Sequence, residues 1–515
     1  MKAWLMHEDR EFEPRAVLPP NADDLVQDLG MDLLLDTMSA GDLFLREVGR
    51  QTVLSSLKDP AAILYRQQIL SDAMAHPDVV RQLYALAVEA IEREKRVWGW
   101  MTTKYPNELL HRAVEVLEIF ADMLTRLRQV ADGQLPGFQS KGFRRFFSML
   151  QSELNDVYLG RVRDHFERLA FPGGLLMSAE LGPGNKGTRY ILRKPPEARE
   201  GWLARLQDWI GRFSKDSDAF TYEIAERDEA GFNALGELKS EGIAPVAAAL
   251  AQSTDHILDF FKMLRLELGF YVGCLNLRDQ LTAVGEGVCI PQIAGPNGAA
   301  LSGHGLYDPS LALSMRGGVV PNDIAADGKQ LLLMTGANRG GKSTLLRALG
   351  LAQVMMQCGM FVPADAYRAG LCDGVFSHFK REEDAAMKSG KLDEELARMS
   401  AIVSLLTPNS LVLLNESFAS TNEREGSEIG RQIVRALLTA GIRVFYVTHL
   451  FDLAASFHAE EPAKALFLRA ERLVDGERTF RLVEAAPLPT SFGEDLYRIV
   501  FGQTEGGSDL SLSDV

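Results

Sequence analysis

Lys329-Gln-Leu-Leu-Leu-Met-Thr-Gly336-Ala-Asn-Arg-Gly-Gly341-Lys342-Ser343-Thr344-Leu-Leu-Arg-Ala-Leu-Gly-Leu-Ala-Gln353 decides the fold. Its apolar start, Lys329 to Met334, reads as a short buried strand, and from Thr344 leucines recur at helical spacing. Between them, 336–343 fits the phosphate-loop pattern G-x-x-x-x-G-K-[ST]. Glycines let the backbone close around phosphate oxygens, and the N–H groups at the helix start point into the loop. The predicted nucleotide contacts are Gly336, Arg339, Gly340, Gly341, Lys342, Ser343 and Thr344. Lys342 would neutralise the β- and γ-phosphates of ATP, and the Ser343 hydroxyl would face Mg2+. The competing reading, a glycine-rich turn that happens to precede a helix, leaves the strand and the lysine unexplained.

Two more apolar strands end in polar pairs. Ser410-Leu-Val-Leu-Leu-Asn415-Glu416 has the layout of a Walker B element, whose first polar residue supports Mg2+ and whose second polarises the attacking water. Asn415 stands where a carboxylate is usual, which removes one negative charge from the metal side and predicts weaker Mg2+ affinity or slower turnover. Arg443-Val-Phe-Tyr-Val-Thr448-His449 places a histidine at a strand's carboxyl end, where it can reach a γ-phosphate or its attacking water. Glu416 and His449 are thus the candidate catalytic residues, and Ser343 and Asn415 the candidate metal-side residues.

With 515 residues the chain is too long for a single core. Strands and helices alternate over 301–502, predicting an α/β nucleotide-binding domain, and 41–170 reads as a mainly helical core. Pro77-Asp78 opens one amphipathic run, with Val80, Leu83, Leu86, Ala87 and Ile91 on a stripe; Leu110, Val114, Leu117, Phe120, Ala121 and Leu124 mark another. Residues 171–240 read as a hairpin and insertion, with strands Leu175–Leu181 and Thr188–Lys194. A lever helix (Ile243–Leu281) and a linker make up 241–300, and the glycine-rich stretch 285–305 reads as irregular. Residues 1–40 form an N-terminal segment, and 503–515 a disordered tail.

Cys274, Cys289, Cys358 and Cys372 form no Cys-x-x-Cys pair, which fits a reducing cytoplasm better than a disulfide framework or a zinc site. The N-terminus lacks a signal-peptide pattern, and no apolar run is long enough to span a membrane. The net charge of −15 predicts that any DNA contact comes from a local basic patch.

The order and spacing of these elements resemble the ATPase domain of the MutS mismatch-repair family. The match runs through Leu306-Tyr-Asp-Pro309, Val320-Pro-Asn-Asp323, Thr335–Thr344, Phe361-Val-Pro-Ala364, the 415–426 block, Thr448-His449 and Ser491-Phe-Gly493. The family's loop reads Thr-Gly-Pro-Asn-Met-Gly-Gly-Lys-Ser-Thr, and this chain differs at Ala337 and Arg339. The resemblance implies an ABC-like P-loop ATPase with Asn338, Lys342 and Ser343 at the phosphates and Mg2+, Glu416 as catalytic carboxylate and His449 as switch histidine.

It also implies a homodimer whose composite sites are completed by a partner's signature segment. Here that segment is Lys388-Ser389-Gly390-Lys391-Leu-Asp-Glu-Glu395, with Gly390 in place of the family's serine. Ser417-Phe-Ala-Ser-Thr-Asn-Glu-Arg-Glu-Gly426 keeps the length of the family's glycine-rich segment but is bulkier and more charged. The family's Phe-x-Glu mismatch wedge has no counterpart in the first 300 residues, and about 40 residues precede the core, too few for a mismatch-recognition domain.

The leading expectation is a DNA-associated dimeric ATPase, acting on double-stranded or branched DNA, that does not read mismatches with the usual wedge. Candidate DNA contacts are Lys186, Arg189, Arg193 and Lys194 in the hairpin, with Lys141, Arg144 and Arg145 as a second cluster. The alternative is a nucleotide-gated protein-interaction clamp with little DNA affinity. A more distant ABC-class ATPase is disfavoured by the absence of a Leu-Ser-Gly-Gly signature.

Overall fold

A computed structural model describes residues 1–97, 106–169, 176–183, 187–193, 229–295, 299–381, 390–473 and 477–489. The chain divides into two compact units. The first comprises Met1–Ala3, Gln82–Leu135 and Phe146–Arg265; the second comprises Trp4–Arg81, Pro136–Arg145 and Leu266–Val515.

The described residues of the first unit are helical apart from one hairpin. Its elements lie in helices Pro77–Arg96, Pro106–Gln134, Lys141–Glu153, Asp156–Leu169 and Glu229–Ala283. The stripe Val80, Leu83, Leu86, Ala87 and Ile91 is buried throughout. Arg93–Asp122 (3.1 Å), Arg112–Glu94 (2.8 Å) and Arg126–Glu89 (2.8 Å) join the first two helices along their polar edges. Phe120 packs on Phe261, with ring centroids 5.5 Å apart. Strands β1 (Met177–Leu181) and β2 (Gly187–Leu192) pair antiparallel. A Cβ on Gly242 would collide with the Met177 sulfur, so glycine there lets the hairpin seat against the helix. That helix was expected over Ile243–Leu281; it begins at Glu229 and runs on through Pro245.

The second unit is built on a six-stranded sheet with order β12-β11-β6-β10-β9-β8. The strands are β6 (Leu331–Gly336), β8 (Val375–Phe379), β9 (Leu411–Asn415), β10 (Arg443–Val447), β11 (Ala465–Arg472) and β12 (Arg478–Glu484). All neighbours pair parallel except β11 with β12. A parallel sheet covered on both faces needs continuous apolar runs, which Leu331–Met334, Leu411–Leu414 and Val444–Val447 provide. One face, carrying Leu331, Leu333, Val412, Leu414, Val444 and Tyr446, packs on helices Lys391–Leu405, Glu423–Thr439 and Phe451–Glu460. Helix Lys342–Gln357 covers the other, where Gly350 leaves room for Leu413 and Leu29.

A four-stranded sheet, β3-β7-β4-β5, comprises β3 (Gln292–Ile293), β7 (Ala366–Ala369), β4 (Leu301–Leu306) and β5 (Asn322–Ala325). The stretch 285–305, expected to be irregular, therefore supplies β3 and most of β4. Their ladder partners on β7 lie more than sixty residues away, beyond what local composition registers.

The N-terminal residues are integral to this unit. Helices Ala22–Asp28 and Met31–Ser39 pack beside β8 and helix Pro309–Met315; Asn21 Nδ2 donates to the Val375 carbonyl at 2.7 Å, and Asp24 pairs with Arg381. Ahead of them, Leu5 is fully buried and held by three buried polar side chains. Glu267 accepts from the Leu5 N–H at 2.6 Å, Tyr271 donates to the Leu5 carbonyl at 2.5 Å, and Arg66 donates to the Met6 carbonyl at 2.9 Å. Arg66 also reaches the Cys358 carbonyl (3.1 Å) and His7 (3.1 Å), so a fully buried guanidinium joins the N-terminal strap to helix Lys342–Gln357.

Burial pushes the Glu267 carboxyl up to about 7, against its ordinary value of 4.5. A carboxyl raised on folding stabilises the native state while both states are protonated, and that stability is lost as pH rises from about 4.5 to about 7. Urea unfolding should therefore show Glu267→Gln gaining stability over wild type across that window, by up to about 3 kcal/mol above pH 7. Parallel pH dependences for the two proteins would contradict this assignment.

Candidate functional site

The carboxyl ends of β6, β10, β9 and β8 lie in register, with Val447 opposite Met334 and Asn415, and Asn415 opposite Phe379. Backbone hydrogen bonds continue past the strands: Thr448 N–H donates to the Met334 carbonyl (3.1 Å), Glu416 N–H to Val447 (2.8 Å) and Lys380 N–H to Asn415 (2.9 Å). Ligands bind at such carboxyl edges because loops leave them with free polar groups. All the predicted nucleotide-side residues stand on this edge.

After β6 the chain turns through 337–341 into helix Lys342–Gln357. Gly341 holds φ +90°, and a Cβ there would lie 2.9 Å from the Phe480 carbonyl oxygen. At Gly340 a Cβ would lie 2.6 Å from the Ala470 Cβ. Both glycines thus let the loop press against the β11–β12 hairpin. Asn338 and Arg339 are exposed, and Arg339 adopts φ +58°, a left-handed conformation unusual for a side chain of its size.

Lys342 is buried, and its Nζ donates to the carbonyls of Gly336 (2.9 Å) and Ala337 (2.8 Å). Burial pushes its pKa down, while the Glu416 carboxylate acts in the opposite sense. A buried ammonium bonded only to neutral carbonyls is an incompletely compensated charge, which fits an anionic ligand such as a triphosphate.

Ser343 Oγ donates to Asn415 Oδ1 at 2.9 Å, bringing together the two residues predicted on the metal side. Their oxygens suit a hard cation by donor type, but both are neutral, so the charge that holds Mg2+ would come from Glu416 or the phosphates. Among the described residues, no group of three or more His, Cys, Asp or Glu side chains is placed to hold a metal by itself. Glu416 is half-buried at φ +52°, and His449 is exposed one residue beyond the buried Thr448.

Several supporting residues escaped the sequence reading. Glu395 is buried and accepts from the Phe418 N–H (2.9 Å) and Ser420 Oγ (2.8 Å), fixing the segment that follows Glu416. Buried His378, stacked on Phe418, contacts Ser417 Oγ (2.8 Å) and the Glu395 carbonyl (3.0 Å). Asp308 caps helix Pro309–Met315 through the Leu311 N–H and binds Arg347 at 2.7 Å. Asn322 holds β12, donating to the Phe480 carbonyl (3.3 Å) and accepting from the Leu482 N–H (2.7 Å). The motif blocks containing Asp308, Asn322 and Glu395 were the available signal, but their roles are tertiary.

Of the signature segment, Lys388 and Ser389 lie outside the described residues, and Gly390 is the N-cap of helix Lys391–Leu405. Ser491-Phe-Gly493, Lys186 and Lys194 also lie outside them. Arg189 pairs with Glu180 at 3.1 Å, and Arg193 donates to Ser178 Oγ at 2.8 Å. In the second basic cluster, Lys141 pairs with Glu8, and Arg145 stacks on Trp4 at 3.9 Å and donates to the Glu8 carbonyl. Both cations fasten the N-terminal strap, leaving exposed Arg144 as that cluster's one cation without such a role.

Two family models match the chain: MutS2 N-terminal domain over residues 58–284 and MutS domain V over residues 332–500. Among curated relatives, the DNA mismatch repair protein MutS of Methanosarcina acetivorans is 36% identical over 152 residues, 28% of this chain and 17% of that protein. The DNA mismatch repair protein MutS of Chloroflexus aurantiacus is 31% identical over 189 residues, 33% of this chain and 20% of that protein. The chain thus spans a fifth or less of the length of these relatives. Asn21, Asp308 and Asn322 lie outside both family matches, yet they hold the unit that carries the site.

No helix among the described residues is long and apolar enough to cross a membrane.

Glu395→Ala would leave the buried Phe418 N–H without its acceptor, at a cost of about 1–3 kcal/mol. Hydrogen exchange at the Phe418 amide should accelerate by at least about tenfold, with β9 and β10 amides much less affected. Unchanged Phe418 protection would show that Glu395 does not anchor this segment.

Proposed function

We propose, from the premise that this chain belongs to the MutS family, that it is a Mg2+-dependent ATPase acting on DNA in repair or recombination. The observation that carries this reading is the convergence of Lys342, Ser343, Asn415 and Glu416 at one parallel-sheet edge, with His449 at the end of the intervening strand. That geometry supports a P-loop ATPase domain of the MutS type.

In this reading the loop N–H groups and Lys342 bind the β- and γ-phosphates, and Asn338, Arg339 and Thr344 border them. Bound Mg2+ supplies further neutralisation of phosphate charge from the Ser343–Asn415 side. Glu416 orients the attacking water and takes its proton, and His449 senses the γ-phosphate. Asn415 lowers the negative charge of the metal side and slows turnover. The protein works as a homodimer through its ATPase domains, closing on ATP and reopening on hydrolysis, in the cytoplasm.

A second reading, a nucleotide-gated clamp on another protein, is favoured by specific observations. The net charge is −15, and Arg189, Lys141 and Arg145 are engaged within the chain. A salt titration of binding to branched, mismatched and plain duplexes separates the two. DNA binding that weakens steeply with salt supports the first, and no binding at low salt with ATP present supports the second.

Lys342→Ala should abolish ATP binding in equilibrium titrations. Glu416→Ala should keep binding while turnover falls by about 100-fold, so that ATP accumulates on the protein; unchanged turnover would remove Glu416 from catalysis. Asn415→Asp should tighten the Mg2+ dependence of hydrolysis, and an unchanged dependence would place Asn415 off the metal.

A further inference from the structure

Arg478 stands at the start of β12, on the hairpin that presses against the phosphate loop. Three backbone relations place it there. Ala470 of β11 pairs with Gly336 at the end of β6; Arg472 of β11 pairs with Arg478; and the Phe480 carbonyl, two residues on, abuts Gly341. Asn322 clamps β12 in that position through the Phe480 carbonyl and the Leu482 N–H. Phe480 itself adopts φ +60°, so the strand is bent where it meets the loop.

The guanidinium of Arg478 stands apart among those of the described residues. Its Nε and one terminal nitrogen are buried without a hydrogen-bond partner; among the described residues it is the one side chain with two such atoms. The remaining arginines with a buried unpartnered nitrogen contribute one each. A half-buried cation with two idle donors is a costly arrangement, and an anion seated against it would supply the missing acceptors. Its charge acts on Lys342, in the same sense as burial and against Glu416. Lys342 is thus within electrostatic reach of Arg478 on β12 and of the Glu416 carboxylate after β9.

We propose that Arg478 is a phosphate ligand for the nucleotide, contributed from β12 of the same chain, and that it supplies positive charge at a site where Asn415 weakens the hold on Mg2+. The inference rests on the ATP-binding reading of the loop and deepens it. A guanidinium offers several N–H donors in a fixed fork that matches phosphate oxygens, and it carries its charge at any accessible pH. ATP binding should consequently persist when the metal is removed, with Arg478 carrying part of the neutralisation that Mg2+ supplies in a carboxylate-bearing site.

The test is equilibrium binding of ATP to the full chain, with Mg2+ and with EDTA, alongside thermal unfolding with and without ATP. Wild type should bind ATP in EDTA. Arg478→Ala should weaken that binding at least tenfold and shrink the ATP-induced rise in Tm. Without nucleotide its Tm should stay the same or rise, because an uncompensated cation has been removed. Arg478→Lys should recover part of the affinity, and Arg481→Ala, an exposed arginine on the same strand, should change nothing. Wild-type binding that Lys342→Ala abolishes but Arg478→Ala leaves within twofold would overturn the assignment of Arg478 alone. A lower Tm for Arg478→Ala without ATP, with the ATP-induced rise intact, would likewise make Arg478 structural. No binding by wild type, or binding indifferent to Lys342→Ala, would sink the reading of the loop and this inference with it.

Discussion

The site depends on the register of four parallel strands. Because β6, β10, β9 and β8 end at the same level, Ser343 after the first and Asn415 at the end of the third come within 2.9 Å, with β10 between their strands. Side chains alone could not set that distance; the ladder does. The hydrogen bonds Thr448 to Met334 and Glu416 to Val447 extend the alignment one residue past the strands, where the polar residues begin. A one-residue slip of β9 would turn Asn415 to the opposite face of the sheet and separate it from Ser343.

Around that edge, tertiary partners hold loops whose own sequences are permissive. The hairpin β11–β12 backs the glycine-rich loop 337–341 so closely that Gly340 and Gly341 accept no side chain without displacement. Glu395 and His378 fix the segment after Glu416, and Asp308 anchors Arg347 on the helix that begins at Lys342. Farther out, the N-terminal strap is threaded under Glu267, Tyr271 and Arg66, the last of which ties it to the C-terminal end of the same helix. Buried polar groups of this kind add modest net stability but penalise alternative packings, since each would be left unpaired.

The strand–loop–helix unit is legible in the sequence because its information is local: an apolar run, glycines at fixed offsets, then leucines at helical spacing. The amphipathic helices from Pro77 and Leu110 are legible for the same reason. The stretch 285–305 is not, because β3 and β4 take their strand identity from β7 and their composition argues for a loop. Nor is the role of the first 40 residues, where Leu5, Asn21 and Leu29 acquire meaning only from partners hundreds of residues away. At the site, Lys342, Ser343, Asn415 and Glu416 announce themselves by motif. Glu395 lies in a motif block, but its hold on the Phe418 N–H and Ser420 is tertiary, and Arg478 reads as solvated surface until the fold half-buries it.

Binding of a triphosphate at this loop would require Lys342 to exchange its two carbonyl partners for phosphate. A crystal structure with a slowly hydrolysed ATP analogue measures this directly. It should show Nζ displaced from the Gly336 and Ala337 carbonyls to within about 3 Å of β- or γ-phosphate oxygens, with the loop N–H groups on the same phosphates. An analogue bound elsewhere, or a Lys342 still bonded to those two carbonyls with the analogue present, would contradict it.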